Sequence, residues 1–332
     1  MPAQTPAQTP APTQQRPSLH VELFCGRCSH TLSKLLRDPT ARALAIDIDS
    51  ESNIMDPLRL TASVRDRIQF VSLDCASLTL TGLRGLVRKH LGATLSQVST
   101  YHASPPCTTY SHAHHGNNPH RVKLTPRAGK EGDLAREHDN LNKVVLEMLR
   151  ELSRKVHSPV ISVENPQNLW QYTTPVARLV GTPGWYKHTA DHCSNLASDD
   201  PIFARKRSTW LVFNCAPDIP LRTCKKDCRC LIDGTDLHKL LVCNRPDKHD
   251  QQVVIDNPED QGRIPFGIFD LLERHRLHQP GETPTPVSRQ IQPDAPMNEV
   301  LLDNTASSGT KDKAILERVK RLHNRTYLEA AP

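Results

Sequence analysis

Six short runs rich in β-branched and other apolar residues recur along the chain, and helical segments separate several of them. The runs are HVELF (20–24), ALAIDID (43–49), IQFVSLD (68–74), VSTYHA (98–103), VISVEN (160–165) and WLVFN (210–214). Helical periodicity appears between them, at 31–38, 83–91 and 140–156. Strands that alternate with helices favour a mostly parallel sheet covered on both faces. The sequence therefore predicts an α/β fold, with its ligands beyond the carboxyl ends of the strands, where the strand order reverses.

The chain has 332 residues, enough to bury a substantial core around such a sheet. One apolar face is predicted on its longest helical segment, formed by Leu141, Val144, Val145, Met148, Leu149 and Leu152. No apolar run approaches the roughly 18 residues that a bilayer-spanning helix needs. We therefore expect neither a membrane-spanning helix nor a membrane partner.

The composition predicts unfolded flanks around one globular body. Proline is unusually frequent, with 27 residues against 14 glycines. Residues 1–18 repeat Pro, Ala, Gln and Thr and carry no bulky apolar side chain, which is typical of a disordered tail. We expect one folded domain over 19–278, a disordered linker over 279–310, and a basic C-terminal helix over 311–332. The net charge of +6 fits a polyanionic partner.

The ten cysteines are predicted to be reduced thiols. The chain does not open with a charged segment followed by an apolar one, as a secreted disulfide-rich protein would. We expect an intracellular protein, in the nucleus of a eukaryote or in the cytoplasm of a bacterium or its phage. Some thiols are then free for chemistry or metal binding.

Three of the predicted strands end in residues suited to a nucleoside ligand. The first runs into a turn that contains Gly26, and a glycine there lets the backbone approach a ligand closely. The second ends in Asp47-Ile48-Asp49, where a carboxylate could accept both hydroxyls of a ribose. Asp74 ends the third strand and could meet the exocyclic amine of adenine. Solvated carboxylates or helix caps are the alternatives for these acids.

The segment after the fourth strand reads Ser104-Pro105-Pro106-Cys107. The prolines restrict the backbone just ahead of a thiol at the ligand edge of the sheet, where a thiolate can act as a nucleophile. Glu164, at the end of the fifth strand, would reach the same edge. A thiol and an acid at neighbouring strand ends suit covalent activation of a ring with proton donation, and a buried structural thiol is the alternative for Cys107.

These motifs resemble those of the cytosine-C5 DNA methyltransferases. Pro-Pro-Cys matches the nucleophile motif of that family, and Glu164-Asn165-Pro166 matches its Glu-Asn motif in the form seen in phage-like members. The remaining similar segments follow in family order between about residues 20 and 275: Phe24-x-Gly26 with Ser29 and Thr31, Arg205-Lys206-Arg207 before WLVFN, and Arg263-Ile264-Pro265.

The chain departs from the family pattern at three places. The segment of Phe24, Gly26, Ser29 and Thr31 corresponds to the family's cofactor loop, and Cys28 replaces the second glycine of that loop. Phe203 stands where a glutamine usually precedes Arg-x-Arg. The target-recognition insert, at about 215–262, is very short. Sequence specificity is then expected to be slight or to come from other parts of the protein.

The resemblance implies a Rossmann-like methyltransferase fold with a small target-recognition insert, S-adenosylmethionine as cofactor, and action on DNA. We expect the protein to be a monomer. Cys107 would attack C6 of a flipped cytosine, Glu164 would hold or protonate N3, and Arg205 or Arg207 would bind O2. Cofactor contacts are implied for Phe24, Gly26, Ser29, Thr31, Asp47, Ile48, Asp74 and Pro105. The alternatives are cytosine-C5 methylation of RNA and a non-catalytic relative that only binds nucleic acid.

The segment 112–133 is rich in histidine and basic residues. In the resembled family this position is a mobile loop that closes on DNA, and phosphate contacts would suit its cations. The residues concerned are His112, His114, His115, His120, Arg121, Lys123, Arg127 and Lys130. A histidine-rich metal site is the alternative.

Five potential metal ligands crowd into the recognition insert. Cys224-x3-Cys228 and His238-x4-Cys243 have acceptable spacings for a structural zinc ion, which would stiffen a segment too short for a core of its own. Cys230 leaves the choice of ligands open, and free surface thiols are the alternative.

Overall fold

The computed structural model describes the main body of the chain. Its described residues are 17–26, 29–58, 60–110, 118–156, 159–166, 169–194, 208–214, 223–225, 240–241, 253–254 and 268–269. The tail through residue 16, the linker at 279–310, the C-terminal helix at 311–332 and most of the recognition insert at 215–262 lie outside them. These domain predictions therefore remain predictions.

A seven-stranded sheet organises the described part of the chain. Its strands are β1 (Leu19–Leu23), β2 (Arg42–Asp47), β3 (Ile68–Ser72), β4 (Thr100–Ala103), β7 (Val160–Pro166), β8 (Tyr186–Asp191) and β9 (Ser208–Phe213), in the order β3-β2-β1-β4-β7-β9-β8. Neighbours from β3 to β7 pair in parallel, whereas β9 is antiparallel to both β7 and β8. The sheet is the Rossmann-like α/β arrangement that the sequence predicted.

Six α-helices within the described residues connect these strands. They are α1 (Ser29–Leu35), α2 (Glu51–Met55), α3 (Ala62–Arg65), α4 (Leu80–Leu91), α5 (Asp133–Lys155) and α6 (Thr174–Val180). Two short pairs complete the elements, an antiparallel hairpin of β5 (Arg121–Val122) with β6 (Thr125–Pro126) and a parallel pair of β10 (Leu240–Leu241) with β11 (Val253–Val254). Among the described helices, none combines the length and the apolar character needed to cross a bilayer.

The apolar core lies on both faces of the sheet. One cluster joins α4 and α5 to the strands, and a smaller cluster packs α1 and α2 against β2 and β3. The predicted apolar face of α5 is buried at Leu141, Val145, Met148, Leu149 and Leu152. Val144 is only half-buried, and Leu146, which the prediction omitted, is buried instead.

Two boundaries differ from the sequence prediction. The edge strand β8 was not predicted, because its polar residues Lys187 and His188 interrupt any apolar run. The folded body begins just before β1, because the Ser18 hydroxyl donates to Asp38 at 2.6 Å and its carbonyl accepts from the amide of Arg42. Ser18 therefore belongs to the fold rather than to the tail.

Candidate active site

The strand order reverses between β1 and β4, which places a crevice at the carboxyl ends of these two strands. The chain moves from β1 to β2 and β3 in one direction and from β4 to β7 in the other. Ligands of open α/β sheets bind at such a reversal. The turn after β1 contains Gly26, and the Cys107 loop (residues 104–107) follows β4, so both predicted segments meet at this crevice.

The Cys107 loop and the Glu164 strand end lie side by side. Ala103 of β4 pairs with Val163 of β7, and β7 continues through Glu164 and Asn165, which therefore lie beside the start of the Cys107 loop. The amide of Asn165 donates to the carbonyl of Pro105 at 2.8 Å, and this contact is buried. The tertiary structure thus brings Pro-Pro-Cys and Glu-Asn-Pro together, as the sequence predicted.

Cys107 is partly exposed, unlike the buried cysteines of the core. Of the four cysteines whose side chains are described, Cys25 and Cys75 are buried, and Cys107 and Cys224 are partly accessible. Burial raises the pKa of Cys75 to about 12, which keeps that thiol protonated. The alternative that Cys107 is a buried structural thiol therefore does not fit its position.

The turn after β1 has the backbone geometry of a close ligand approach. Gly26 has φ +42° and Phe24 has φ +54°, both in the left-handed region that glycine tolerates best. The Asp47 carboxylate holds this turn, because it accepts from the amide of Gly26 at 2.9 Å and from that of Asp49 at 3.1 Å. Ile48, between them, is 69% exposed. Gly26, Asp47 and Ile48 thus form one open surface at adjacent strand ends.

The other predicted cofactor contacts behave differently. Thr31 is fully buried in the first turn of α1, so its side chain is not exposed to a ligand in the crevice. Asp74 is exposed, and its carboxylate accepts a hydrogen bond from the amide of Ala76. It therefore caps a short helix, which was the alternative given for this acid. Ser29 begins α1, and its side chain lies outside the described residues.

A buried polar layer covers one face of the three central strands, and the sequence analysis did not anticipate it. We call it the polar sheet face; it comprises His20 and Glu22 of β1, Thr100 and His102 of β4, and Ser162 and Glu164 of β7, all at most 5% exposed. Their spacing of two along each strand was the available signal, because alternate residues share a face. Such alternation is typical of a strand with one buried and one solvated face, so it did not indicate that the polar face is buried as well.

Glu22 links the polar sheet face to the turn before α1. Its carboxylate accepts from the amides of Thr31 at 2.8 Å and His30 at 3.2 Å. Desolvation by burial nevertheless raises the pKa of Glu22 to about 7, because these amide donors offset only part of the cost. This carboxyl group therefore titrates near neutral pH.

His102 connects the two strands that carry the candidate catalytic residues. Its ring lies 2.8 Å from the Ser162 hydroxyl of β7 and 3.0 Å from the Ser104 hydroxyl at the start of the Cys107 loop. The ring also stacks on His30, with centroids 5.1 Å apart, and Phe269 packs edge-on against it. Burial lowers the pKa of His102 to about 3, so the ring is neutral and serves as a hydrogen-bonding spacer.

Arg121 does not have the phosphate-binding role predicted for the segment 112–133. Its guanidinium is buried and donates to both oxygens of Asp139, at 2.7 and 3.0 Å. It also lies 4.2 Å above the ring of Tyr110, whose hydroxyl donates to the same carboxylate. Lys123 and Lys130 are exposed, so phosphate contact remains a prediction for them, whereas the first three histidines of the segment lie outside the described residues.

The zinc prediction rests mainly on residues that the structure does not describe. Cys228, His238 and Cys243 lie outside the described part, as do Arg205 and Arg207. Cys224 is partly exposed, and its amide donates to Asp191 at 2.6 Å. Within the described residues, no group of three or more His, Cys, Asp or Glu side chains is arranged to hold a metal ion.

The fold and the site define a Rossmann-like α/β protein with a thiol and a carboxylate at neighbouring strand ends. No protein family model matches the chain, and no curated protein does. Three solved structures have some similarity, each with a TM-score of 0.35. The Dnmt2 methyltransferase of S. pombe is 16% identical, and the match covers 60% of this chain and 49% of that one. For Spodoptera frugiperda DNMT2 the identity is 12% and the coverage 62% and 53%, and for an antibiotic-related methyltransferase the identity is 14% and the coverage 60% and 88%. The chain thus spans about half the length of the first two, and its fold class rests on its own sheet order.

Proposed function

We propose that this protein methylates C5 of cytosine in DNA, using S-adenosylmethionine and a covalent bond between Cys107 and C6 of the base. The observation that carries the proposal is the buried hydrogen bond from Asn165 to the Pro105 carbonyl. It joins the residue after Glu164 to the backbone two residues before the partly exposed Cys107. Neither residue type alone would favour this chemistry, but the pair in this register does.

The surface around Gly26 fits the cofactor. The positive φ of Gly26 favours a residue without a side chain where a ligand lies against the backbone. Asp47 offers carboxylate oxygens at the end of β2, the position that binds ribose hydroxyls in nucleotide-binding α/β folds. The exposed Ile48 offers an apolar contact for the adenine ring. When bound, S-adenosylmethionine supplies an electrophilic methyl group.

The residues of the chain have distinct roles in the proposed reaction. The Cys107 thiolate forms a bond to C6, and the displaced electron pair gives C5 the nucleophilic character needed to accept the methyl group. Glu164 holds or protonates N3 while charge develops on the ring. Loss of the C5 proton then expels Cys107 by elimination and restores the aromatic ring. The target base must leave the helical stack to reach Cys107.

The test is covalent trapping on DNA that contains 5-fluorocytosine, from which the C5 substituent cannot be lost. The wild-type protein should form a denaturation-resistant adduct in the presence of S-adenosylmethionine, and Cys107→Ser should not. Cys75→Ala serves as the control, because it removes a buried protonated thiol and should keep the adduct. Adduct formation by Cys107→Ser, or its absence from wild type with DNA and cofactor bound, would refute the covalent role.

The substrate class is tested by methyl transfer to matched DNA and RNA that carry the same cytosines. Bisulfite sequencing of both products reports the position and the sequence context of any methylation. Transfer to DNA is expected, whereas transfer to RNA alone would replace DNA as the substrate. Glu164→Gln should slow transfer far more than it weakens DNA binding, because the contact to N3 matters most in the transition state. Equal losses would instead make Glu164 a residue that only positions the base.

A further inference from the structure

Two adjoining cavities lie between α5 and α6, and neither is lined by Cys107 or Glu164. The upper cavity, beside the first half of α5, has a volume of about 450 Å³ and is lined by Tyr110 and Tyr172, among others. The lower cavity, beside the second half of α5, has a volume of about 550 Å³ and is lined by Arg150, Arg154 and the turn at Gly181–Pro183. Arg178 lines both cavities, and we call the two together the α5–α6 groove.

The α5–α6 groove carries a stripe of positive charge. Lys143, Arg150 and Arg154 of α5 are spaced seven and four residues apart, which puts them on one side of the helix. At 1.5 Å per residue, the stripe is about 16 Å long. None of these three side chains forms an ion pair with any residue that the structure describes. Their charges are therefore available to an anionic partner.

The acidic residues near the groove do not cancel this charge. Asp139 lines the upper cavity, but Arg121 already neutralises it through two hydrogen bonds. Glu147 approaches Arg178 at 3.8 Å, and both side chains are largely solvated, so this pair is weak. Glu151 pairs with Lys155, which is not among the residues that line the groove. The groove keeps a net positive charge along its length.

An exposed aromatic ring stands at the upper end of the groove. Tyr172 is 62% exposed, although Trp170 two residues earlier is completely buried. Tyr172 follows the Glu164 strand end, and Tyr110 follows the Cys107 loop by three residues, so this end of the groove adjoins the candidate active site. A stripe of cations beside an exposed aromatic ring is the pattern that binds single-stranded nucleic acid, with phosphates on the cations and a base on the ring.

We propose that the α5–α6 groove binds a single-stranded segment of nucleic acid, with its phosphates on Lys143, Arg150, Arg154 and Arg178 and a base stacked on Tyr172. The strand would extend from the Cys107 crevice towards the amino-terminal edge of the sheet. This proposal goes beyond the proposed function. It rests on that function only in one respect, namely that the bound strand continues to the cytosine that reacts with Cys107. The groove itself involves no residue of the proposed chemistry.

The test measures binding of a fluorescently labelled oligothymidylate of about 12 nucleotides by anisotropy, across a salt series and without cofactor. This probe has no cytosine, so the Cys107 chemistry cannot contribute. The triple variant Lys143→Glu/Arg150→Glu/Arg154→Glu should weaken binding at least tenfold and reduce the salt slope by about 2, the value for three lost phosphate contacts. Tyr172→Ala should weaken binding about fivefold or more without changing the slope.

The matched control reverses three exposed cations on α4, in the variant Arg84→Glu/Arg88→Glu/Lys89→Glu. It changes the net charge equally on a helix whose residues do not line the groove, and thermal unfolding checks that both variants fold. Equal weakening by the two triple variants, or tighter binding of a thymine-adenine duplex than of the single strand, would overturn the assignment. Oligouridylate run in parallel shows whether the groove prefers RNA or DNA. Cys107→Ser should bind the probe like wild type, so failure of the proposed chemistry and failure of the groove are separate results.

Discussion

The guanidinium of Arg121 donates to both carboxylate oxygens of Asp139, at 2.7 and 3.0 Å. This pair joins the β5–β6 hairpin to α5 and lies against Tyr110, which follows the Cys107 loop. The Tyr110 hydroxyl also accepts from Asn142, whose side-chain oxygen accepts from the Trp170 indole. The segments that follow the two candidate catalytic residues are thus tied to one helix through a single polar network.

We predict that Arg121→Met lowers the free energy of unfolding by about 1–3 kcal/mol, because it removes the donor that pairs with the part-buried Asp139 carboxylate. Urea unfolding at neutral pH measures the change. The double variant Arg121→Met/Asp139→Leu should recover much of the loss, since no uncompensated charge remains. If the single variant were as stable as wild type, the pair would not hold the hairpin in place.

We predict that Asn165→Ala reduces methyl transfer at least tenfold while the protein remains folded. The variant leaves the buried Pro105 carbonyl without its donor, which costs about 1–3 kcal/mol of stability and frees the Cys107 loop from the Glu164 strand. Rates of methyl transfer and of adduct formation should fall together, since both need the thiol in position. Asn214→Ala is the control, because Asn214 bonds to backbone atoms at the opposite end of β7. Unchanged rates in Asn165→Ala would show that the Cys107 loop holds its own conformation.

We predict that Glu22→Gln stabilises the protein more at pH 8 than at pH 5, relative to wild type. The pKa of Glu22 is raised from 4.5 to about 7. The folded state therefore binds the proton more tightly than the unfolded state, and stability is lost as the pH rises from about 4.5 to 7. For a shift of this size the loss is about 3 kcal/mol. Denaturant unfolding of both proteins across this range isolates the effect, because the neighbouring histidines are common to both. A difference independent of pH would mean that Glu22 stays ionised.

We predict that Asp47→Ala weakens binding of S-adenosylmethionine about tenfold or more with little effect on DNA affinity. The carboxylate would lose its bonds to the ribose and its hold on the Gly26 amide, and hydrogen bonds to charged groups are worth about 1.5–3 kcal/mol. Titration calorimetry gives the dissociation constant. Asp49→Ala is the matched control, because Asp49 is exposed and its bonds stay within the turn to α2. Equal effects of the two variants would mean that the ribose does not depend on Asp47.

We predict that the purified protein contains close to one zinc ion per chain by elemental analysis, held by Cys224, Cys228, His238 and Cys243. Chelation should then weaken DNA binding before it affects cofactor binding, because the metal would order a segment with few apolar residues of its own. The variant Cys228→Ser/Cys243→Ser should lose the metal and keep the sheet, as judged by circular dichroism. A metal-free preparation with full DNA affinity would contradict the site.

The sequence alone determined the elements of the sheet and the residues at its carboxyl edge. Short β-rich runs and helical periodicity are local signals, and they located six of the seven strands. The parallel arrangement followed from their alternation with helices, and it placed the Gly26 turn, Asp47, Cys107 and Glu164 at one edge. The edge strand β8 had no such signal, because Lys187, His188 and Thr189 interrupt any apolar run.

Only the tertiary structure decided which polar residues are buried and which residues they pair with. The sequence predicted that Arg121 is a solvated cation of a basic loop. In the structure it is buried and pairs with Asp139, eighteen residues later in the chain. Glu22 and His102 form one buried layer only because the register of β1 and β4 places them opposite each other. Such pairings join residues distant in sequence, and their stability comes from desolvation and hydrogen bonds that exist only after the chain has folded. Local periodicity carries no information about them.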